Sequence, residues 1–91
     1  MFFSKTFGYA IRSILFLASL KKDQRVLLAE IASKLKVPRH FLAKVMKKLA
    51  SEGLISSFKG PNGWLASNEL TSGITLLKVA SITGETAHFG S

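Results

Sequence analysis

The stretch that decides the fold runs from Leu28 to Ser67 and reads LAEIASKLKVPRHFLAKVMKKLASEGLISSFKGPNGWLAS. Apolar residues recur in it at helical spacing twice, on either side of a short break that contains a proline. A glycine and two short runs that are typical of strands follow. Two short helices, a tight turn and a hairpin form the pattern of a winged helix-turn-helix. We therefore predict a fold that is mainly α with a small β wing.

The second helix of this pattern, over about residues 38–51, separates apolar from polar residues. On a 3.6-residue wheel one broad face carries Phe41, Leu42, Val45, Met46 and Leu49. The opposite face carries His40, Lys44, Lys47 and Ser51, with Ala43 beside them and Lys48 near the apolar border. One face can pack on a core while the other offers cations and hydrogen-bond donors. The polar face could also be a solvated lysine face without a ligand. The predicted wing after the helix favours the interpretation that this face contacts DNA.

A predicted wing follows this helix. Gly53 stands where a C-terminal cap belongs. We predict a strand over 54–58, a turn over 59–63 and a return strand over 64–66. Trp64 is interpreted as a packing residue at the base of the hairpin. The tip is expected to contact the DNA backbone or minor groove, through Lys59, Gly60, Pro61 and Asn62.

The charge of the chain points to a polyanionic partner. Its 13 Lys and Arg residues against 5 Asp and Glu residues give a formal net charge of +8. This balance favours nucleic acid or an acidic membrane surface. Seven of the basic residues lie between Lys34 and Lys59, and Glu52 is the single acid there. Because this cluster coincides with the predicted recognition helix and wing, double-stranded DNA is the predicted partner.

Length and composition limit the other functions. A chain of 91 residues predicts one domain, over 1–84, with a loose tail at 85–91. The absence of cysteine excludes disulfides and thiolate zinc sites. Without an uncharged run of about 18 residues, no membrane insertion is expected.

His40 and His88 are the two histidines, and no spacing predicts a metal site or a catalytic set. We predict that the protein is not an enzyme and has no metal. Two interpretations of His40 stay open. Its side chain contacts a phosphate or a base edge, or it is simply exposed to solvent.

The first helix, predicted over 5–20, is apolar on two sides. One stripe is expected in the core and consists of Phe7, Ile11, Ile14, Leu15 and Ala18. A second stripe on the opposite side consists of Tyr9, Phe16 and Leu20. A helix that is apolar on two sides must be buried on two sides. The second stripe is therefore predicted to contact a partner or a segment that this chain lacks, and a homodimer is expected. The alternative is a few exposed aromatic side chains without a partner.

The remaining segments complete the predicted domain. A short strand at 26–27 is expected to join the wing sheet, and a helix over about 28–36 is expected to follow it. Leu27 occupies the N-cap position of that helix, so its start is expected to fray. Residues 67–73 read as a polar connector. A last helix over about 76–82 is expected to be capped by Thr75 and ended by Gly84.

Four segments resemble the IscR/NsrR-type (Rrf-type) family of bacterial winged-helix regulators. They are SKTFGYAIRSILFLA at 4–18, LAEIASKLKVPRHFLAKVMKKLASEGLI at 28–55, KGPNGW at 59–64 and ITLLKVASITGE at 74–85. The resemblance implies a cytoplasmic transcription regulator that binds DNA as a dimer. Several members act through an iron–sulfur cluster held by cysteines beyond the fourth helix. This chain has no cysteine, so no iron–sulfur cluster and no other cofactor is expected.

These observations predict sequence-directed DNA binding, with the recognition helix in the major groove. Arg39 and His40 are the hydrogen-bonding readers at its start, and lysines neutralise phosphates. At the central position, where some relatives carry an acidic reader, this sequence has Ala43. The alternative is a winged-helix module for protein–protein interaction or dimerisation, without specific DNA binding.

Overall fold

The structure is a computed structural model that describes residues 5–58 and 63–84. Over these residues the chain is mostly helical with one small antiparallel sheet, which confirms the predicted winged helix-turn-helix. The helices are α1 (Lys5–Ala18), α2 (Leu28–Leu35), α3 (Arg39–Ser51) and α4 (Leu76–Thr83), and the strands are β1 (Arg25–Leu27), β2 (Ser56–Phe58) and β3 (Trp64–Ala66). A 3₁₀ turn spans Thr71–Gly73. No helix in this part of the chain is long and apolar enough to cross a membrane.

The wing sheet has β3 at its centre, with β1 on one side and β2 on the other. Both pairings are antiparallel, and Trp64 lies opposite Leu27 on one side and Phe58 on the other. The predicted short strand at 26–27 therefore does join the wing. Leu65 is buried, and because side chains alternate along a strand, its neighbour Trp64 lies on the other face.

Helix α1 buries a different stripe from the one predicted. Its buried residues are Phe7, Ala10, Ser13, Ile14 and Leu17. Leu15, predicted in the core, is 63% exposed, because it lies about 100° around the helix from Ile14. The buried stripe includes small side chains that a pattern based on large apolar residues does not count. The helix also ends at Ala18, two residues before the predicted end.

The turn between α2 and α3 is tight and well defined. Leu27 has no side-chain acceptor with which to cap α2, but the Glu30 carboxylate accepts a hydrogen bond from its backbone N–H at 3.3 Å. Lys36 ends α2 in the left-handed conformation, with φ 56°. Pro38 then precedes the first residue of α3 in an extended conformation. The recognition helix therefore begins at Arg39, one residue later than predicted.

Gly53 ends α3, as predicted, with φ +75°. Its N–H donates to the carbonyl of Ala50, and the N–H of Leu54 donates to the carbonyl of Leu49 at 2.9 Å. This pair of hydrogen bonds is the Schellman motif. Because Leu54 is committed to the cap, strand β2 begins at Ser56 and not at the predicted residue 54.

The segment predicted as a plain polar connector, 67–73, is bonded to the end of α3. The Asn68 side-chain amide donates to the carbonyl of Gly53 at 2.9 Å. The Thr71 hydroxyl donates to the carbonyl of Leu54 at 2.7 Å and accepts from the N–H of Asn68 at 2.8 Å. Thr71 is 2% exposed. These bonds connect the recognition helix to the second half of the chain.

Helix α4 follows the prediction closely. The Thr75 hydroxyl caps it by accepting a hydrogen bond from the N–H of Lys78 at 3.1 Å. Gly84 ends it with φ +85°. The helix is one residue longer than predicted. Its side chains split between a buried part, which includes Val79 and Ala80, and an exposed part. The predicted tail at 85–91 lies outside the described residues.

Candidate nucleic-acid interface

The exposed face of α3 carries the residues that the sequence placed there. We define this face by its exposed side chains: Arg39, His40, Ala43, Lys44 and Lys47. On the other side Leu42, Val45, Met46 and Leu49 are buried, and Phe41 is half-buried. The division between a core face and a polar face of this helix is thus confirmed. The buried side fixes the helix in place, so its cations stand on a rigid element.

The cations on the exposed face of α3 have no acidic partners within the described residues. Ion pairs there join Lys22 to Glu69 at 3.4 Å and Lys78 to Glu52 at 2.6 Å. Glu52 is the one acid between Lys34 and Lys59, and its pairing with Lys78 offsets the negative charge nearest the end of α3. The face therefore retains its positive charge, which is what a phosphate backbone requires.

Lys48 is directed away from this face. Its ammonium group donates to the backbone carbonyl of Ile82 at 3.5 Å. Ile82 lies in the last turn of α4, where carbonyl groups lack partners and a cation is favoured by the helix dipole. Lys48 thus connects α3 to α4, whereas Lys44 and Lys47 have no such contact in the described part of the chain.

The described part of the wing consists of its two strands and Gly63. The predicted tip contacts Lys59, Gly60, Pro61 and Asn62 lie outside the described residues. Trp64 is half-buried and lies opposite Phe58 in the hairpin. This position at the base of the wing agrees with the packing role predicted for it.

Sequence reasoning missed one cation beside the wing. The Arg25 guanidinium lies 3.7 Å from the centroid of the Phe58 ring, a stacking arrangement. Phe58 ends β2, so the arginine side chain reaches across the sheet to the end of that strand. A stacked guanidinium keeps its edge N–H groups available for anions. No local pattern in the sequence indicates this contact, because it depends on the register of three strands.

A groove of about 190 Å³ separates α3 from the wing sheet. Ala43, Lys47 and Ala50 line it on the helix side, and Ser57, Gly63 and Leu65 line it on the sheet side. Among the described residues, Lys47 is the one charged residue in its lining. The groove is therefore largely apolar and is continuous with the exposed face of α3 through Ala43 and Lys47.

The second stripe of α1 is partly covered by its own chain. The Tyr9 and Phe41 rings lie 5.8 Å apart between centroids, and the Lys34 ammonium is 5.3 Å from the Phe16 ring. Tyr9, Phe16 and Leu20 are all half-buried and pack against the core. These side chains are therefore covered in part by their own chain. Contact of these three residues with a second copy stays a prediction.

The fold is that of the winged helix-turn-helix class, and its recognition helix presents a cationic face. The chain belongs to the Rrf2 family, whose sequence profile is described as an iron-dependent transcriptional regulator and matches residues 3–91. This family consists of transcriptional regulators and not of enzymes.

Two curated relatives are named as regulators of the same class. The chain is 39% identical over 85 residues to an HTH-type transcriptional regulator of Aquifex aeolicus, covering 93% of this chain and 58% of that protein. It is 33% identical over 55 residues to the HTH-type transcriptional regulator NsrR of Geobacillus kaustophilus, covering 60% of this chain and 37% of that protein. The matched segments thus cover less than two thirds of each of these relatives.

Two solved structures share the fold. Staphylococcus aureus CymR, in its oxidized form, superposes with a TM-score of 0.75 at 21% identity, over 90% of this chain and 66% of that one. CymR of B. subtilis, described as the global cysteine regulator of that organism, superposes with a TM-score of 0.72 at 21% identity, over 90% of this chain and 64% of that one. At this identity the likeness concerns the fold alone.

The residues of this chain do not fit the iron that the family description names. The chain contains no cysteine, the usual ligand of iron–sulfur clusters. Within 5–58 and 63–84 no group of three or more His, Cys, Asp or Glu side chains could hold a metal ion. These residues therefore offer no set of ligands for the iron that the family description names.

Proposed function

We propose that the chain binds double-stranded DNA in a sequence-directed way, as a bacterial transcription regulator of the cytoplasm. In this proposal the recognition helix, about 38–51, enters the major groove, and the wing, 59–64, contacts the backbone or the minor groove. The family, the fold and the net charge of +8 support it.

One observation carries the proposal. The exposed face of α3 presents Arg39, Lys44 and Lys47 without acidic partners among the described residues, and the nearby Glu52 is paired with Lys78. An interaction face for an acidic protein would also be basic. The combination with a wing on the adjacent side favours a duplex, because helix and wing together span a major groove and the backbone beside it.

The proposed contacts divide into two kinds. Lys44, Lys47 and Lys59 neutralise phosphates, and Arg25 joins them beside the wing, whereas Arg39 and His40 reach base edges at the start of the helix. Further contacts are proposed for Ala43 at the centre of the face and for Gly60, Pro61 and Asn62 in the wing. Lys48 contributes a phosphate contact only when its ammonium group leaves the carbonyl of Ile82.

Fluorescence anisotropy with labelled duplex DNA at varied salt tests this proposal. If about four phosphates are neutralised, log K should fall with log salt at a slope of roughly −3 to −4. No binding at about 50 mM salt, where phosphate contacts are strong, would contradict the proposal. So would binding that does not depend on salt.

The second candidate is an interaction or dimerisation module, and exposed leucines favour it. Leu15, Leu70, Leu76 and Leu77 are 55–70% exposed. We propose a homodimer in which Tyr9, Phe16 and Leu20 contribute. Sedimentation should show the wild type as a dimer and Phe16→Glu as a folded monomer with weaker DNA binding. A wild type that stays monomeric at high concentration would overturn the dimer proposal and leave DNA binding untouched.

We also propose that the chain neither binds nor senses an iron–sulfur cluster. The reason is the lack of thiolate ligands. Anaerobic reconstitution with iron and sulfide should leave the protein colourless after desalting. Visible absorption together with stoichiometric iron would contradict this.

A further inference from the structure

The centre of the exposed face of α3 is apolar. Arg39 and His40, which can form hydrogen bonds to base edges, stand at its first two positions. Ala43, one turn further on, is exposed and offers only a methyl group. The side chain at this position therefore cannot recognise a base through a hydrogen bond.

The groove beside Ala43 extends this apolar surface. It lies between α3 and the wing sheet, and its volume is about 190 Å³. Met46 and Leu65, which are 2% and 4% exposed, form its floor. Lys47 stands at its edge and also belongs to the exposed face of α3. An apolar surface bordered by a cation suits a ligand with an apolar group next to a negative charge.

The major groove of DNA offers one apolar group of this kind. The polar groups on the base edges there are hydrogen-bond donors or acceptors, and the C5 methyl group of thymine is the one apolar substituent, where cytosine carries only a hydrogen atom. A donor or acceptor placed against Ala43 and Met46 would lose its water without gaining a partner, which is unfavourable. The thymine methyl loses nothing by the same contact and is removed from water.

We propose that Ala43 and the groove beside it read the C5 methyl group of a thymine. The proposal rests on the proposed function and deepens it, since it names the base that the centre of the recognition helix prefers. The phosphate next to that thymine is held by Lys47. Sequence preference at this position then comes from a methyl contact and not from a hydrogen bond.

Replacement of thymine by deoxyuridine tests the proposal, because it removes only the C5 methyl group. Duplexes that bind the wild type are first selected from a randomised pool, and each thymine is then replaced singly. At one thymine per bound site or half-site, the replacement should weaken binding about fourfold, the factor for one buried methyl-sized group. At the other thymines it should change affinity less than about twofold, well short of that methyl-sized factor. Where that position is changed to cytosine, 5-methylcytosine should bind more tightly than cytosine.

Two variants link the effect to Ala43. In Ala43→Gly the ratio of thymine to deoxyuridine affinity should fall to about one, because the protein methyl group is gone. Both duplexes are measured with the same protein, so a general loss of affinity cancels in this ratio. If the glycine destabilises the helix too far, Ala43→Glu keeps a good helix former. Selection with Ala43→Glu should then replace the thymine by cytosine, whose N4 amino group donates to a carboxylate.

The outcomes separate this proposal from DNA binding itself. The methyl contact is overturned if no deoxyuridine replacement weakens wild-type binding beyond twofold, or if Ala43→Gly keeps the full ratio. It is also overturned if Ala43→Glu selects the same thymine, as it would if the groove served a small apolar ligand or a second protein. In each of these cases salt-dependent DNA binding stands. A wild type that binds no duplex overturns the proposed function and the methyl contact together.

Discussion

Helices α1 and α3 are both amphipathic, yet only α3 buries the stripe that its sequence predicts. In α3 the predicted apolar face is buried or half-buried, and the polar side chains opposite it are exposed. In α1 the predicted stripe is rotated, so that Leu15 is 63% exposed while Leu17 is fully buried. The difference lies in what surrounds the apolar residues of each helix.

Charged residues distinguish the solvent side of α3 from its buried side, and α1 has few charged residues that could do so. Lys44, Lys47 and Lys48 leave one arc of α3 that can be buried at low cost. Helix α1 carries two cations, Lys5 and Arg12, and apolar residues occupy most of its circumference. Its orientation is therefore set by tertiary packing, and the small residues Ala10 and Ser13, both 0% exposed, face the core. A helix with strong charge contrast predicts its own orientation, and a uniformly apolar helix does not.

The largest expected effect concerns two leucines of α1. Leu17→Ala should lower the free energy of unfolding by about 2–5 kcal/mol, because it leaves a cavity in the core. Leu15→Ala, two positions away, should change it by less than about 0.5 kcal/mol, as surface substitutions do. Urea unfolding followed by circular dichroism measures both. A larger loss for Leu15→Ala than for Leu17→Ala would mean that α1 buries the stripe predicted from the sequence.

The second effect concerns the hydroxyl that holds the end of α3. Thr71→Val keeps the shape of the side chain but leaves the carbonyl of Leu54 and the N–H of Asn68 without this partner. The expected loss in the free energy of unfolding is about 1–3 kcal/mol. Ser72→Ala, at an exposed position in the same turn, is the control and should be neutral within about 0.5 kcal/mol. Equal behaviour of the two variants would mean that the connector does not stabilise the recognition helix.

The smallest expected effect concerns two glycines, Gly53 at the end of α3 and Gly8 in α1. Replacement by alanine should change the free energy of unfolding in opposite directions at the two positions. Gly53→Ala forces a side chain into the left-handed conformation at the end of α3 and should cost about 1–2 kcal/mol. Gly8→Ala in α1 meets nothing within 4 Å and should stabilise the fold by roughly 0.5–1 kcal/mol. Thermal unfolding distinguishes the signs. A loss of stability on Gly8→Ala would show that α1 packs more tightly at this point than the structure indicates.

Local signals in the sequence predicted most of the fold. Gly53, Thr75 and Gly84 fixed helix ends because each has a specific role in capping. The hydroxyl of Thr71 could not be foreseen, since its partner Leu54 lies 17 residues away and the bond depends on the tertiary fold. The same holds for Arg25 and Phe58, which meet across the wing sheet. Among the candidate contacts, the cations of α3 were readable from its periodicity, whereas the direction of Lys48 toward α4 was not.

The central claim is that the cations of α3, and not the net charge as such, hold DNA. Its most direct test is the salt dependence of duplex binding for two double variants that each lose two positive charges. Lys44→Ala with Lys47→Ala removes cations from the exposed face of α3, and Arg12→Ala with Lys21→Ala removes them from α1 and the loop after it. The first should make the slope of log K against log salt shallower by about 2, roughly 1 for each phosphate contact, and the second should leave it unchanged. Equal slopes for the two variants would contradict the account, because they would mean that DNA responds to the charge of the whole chain.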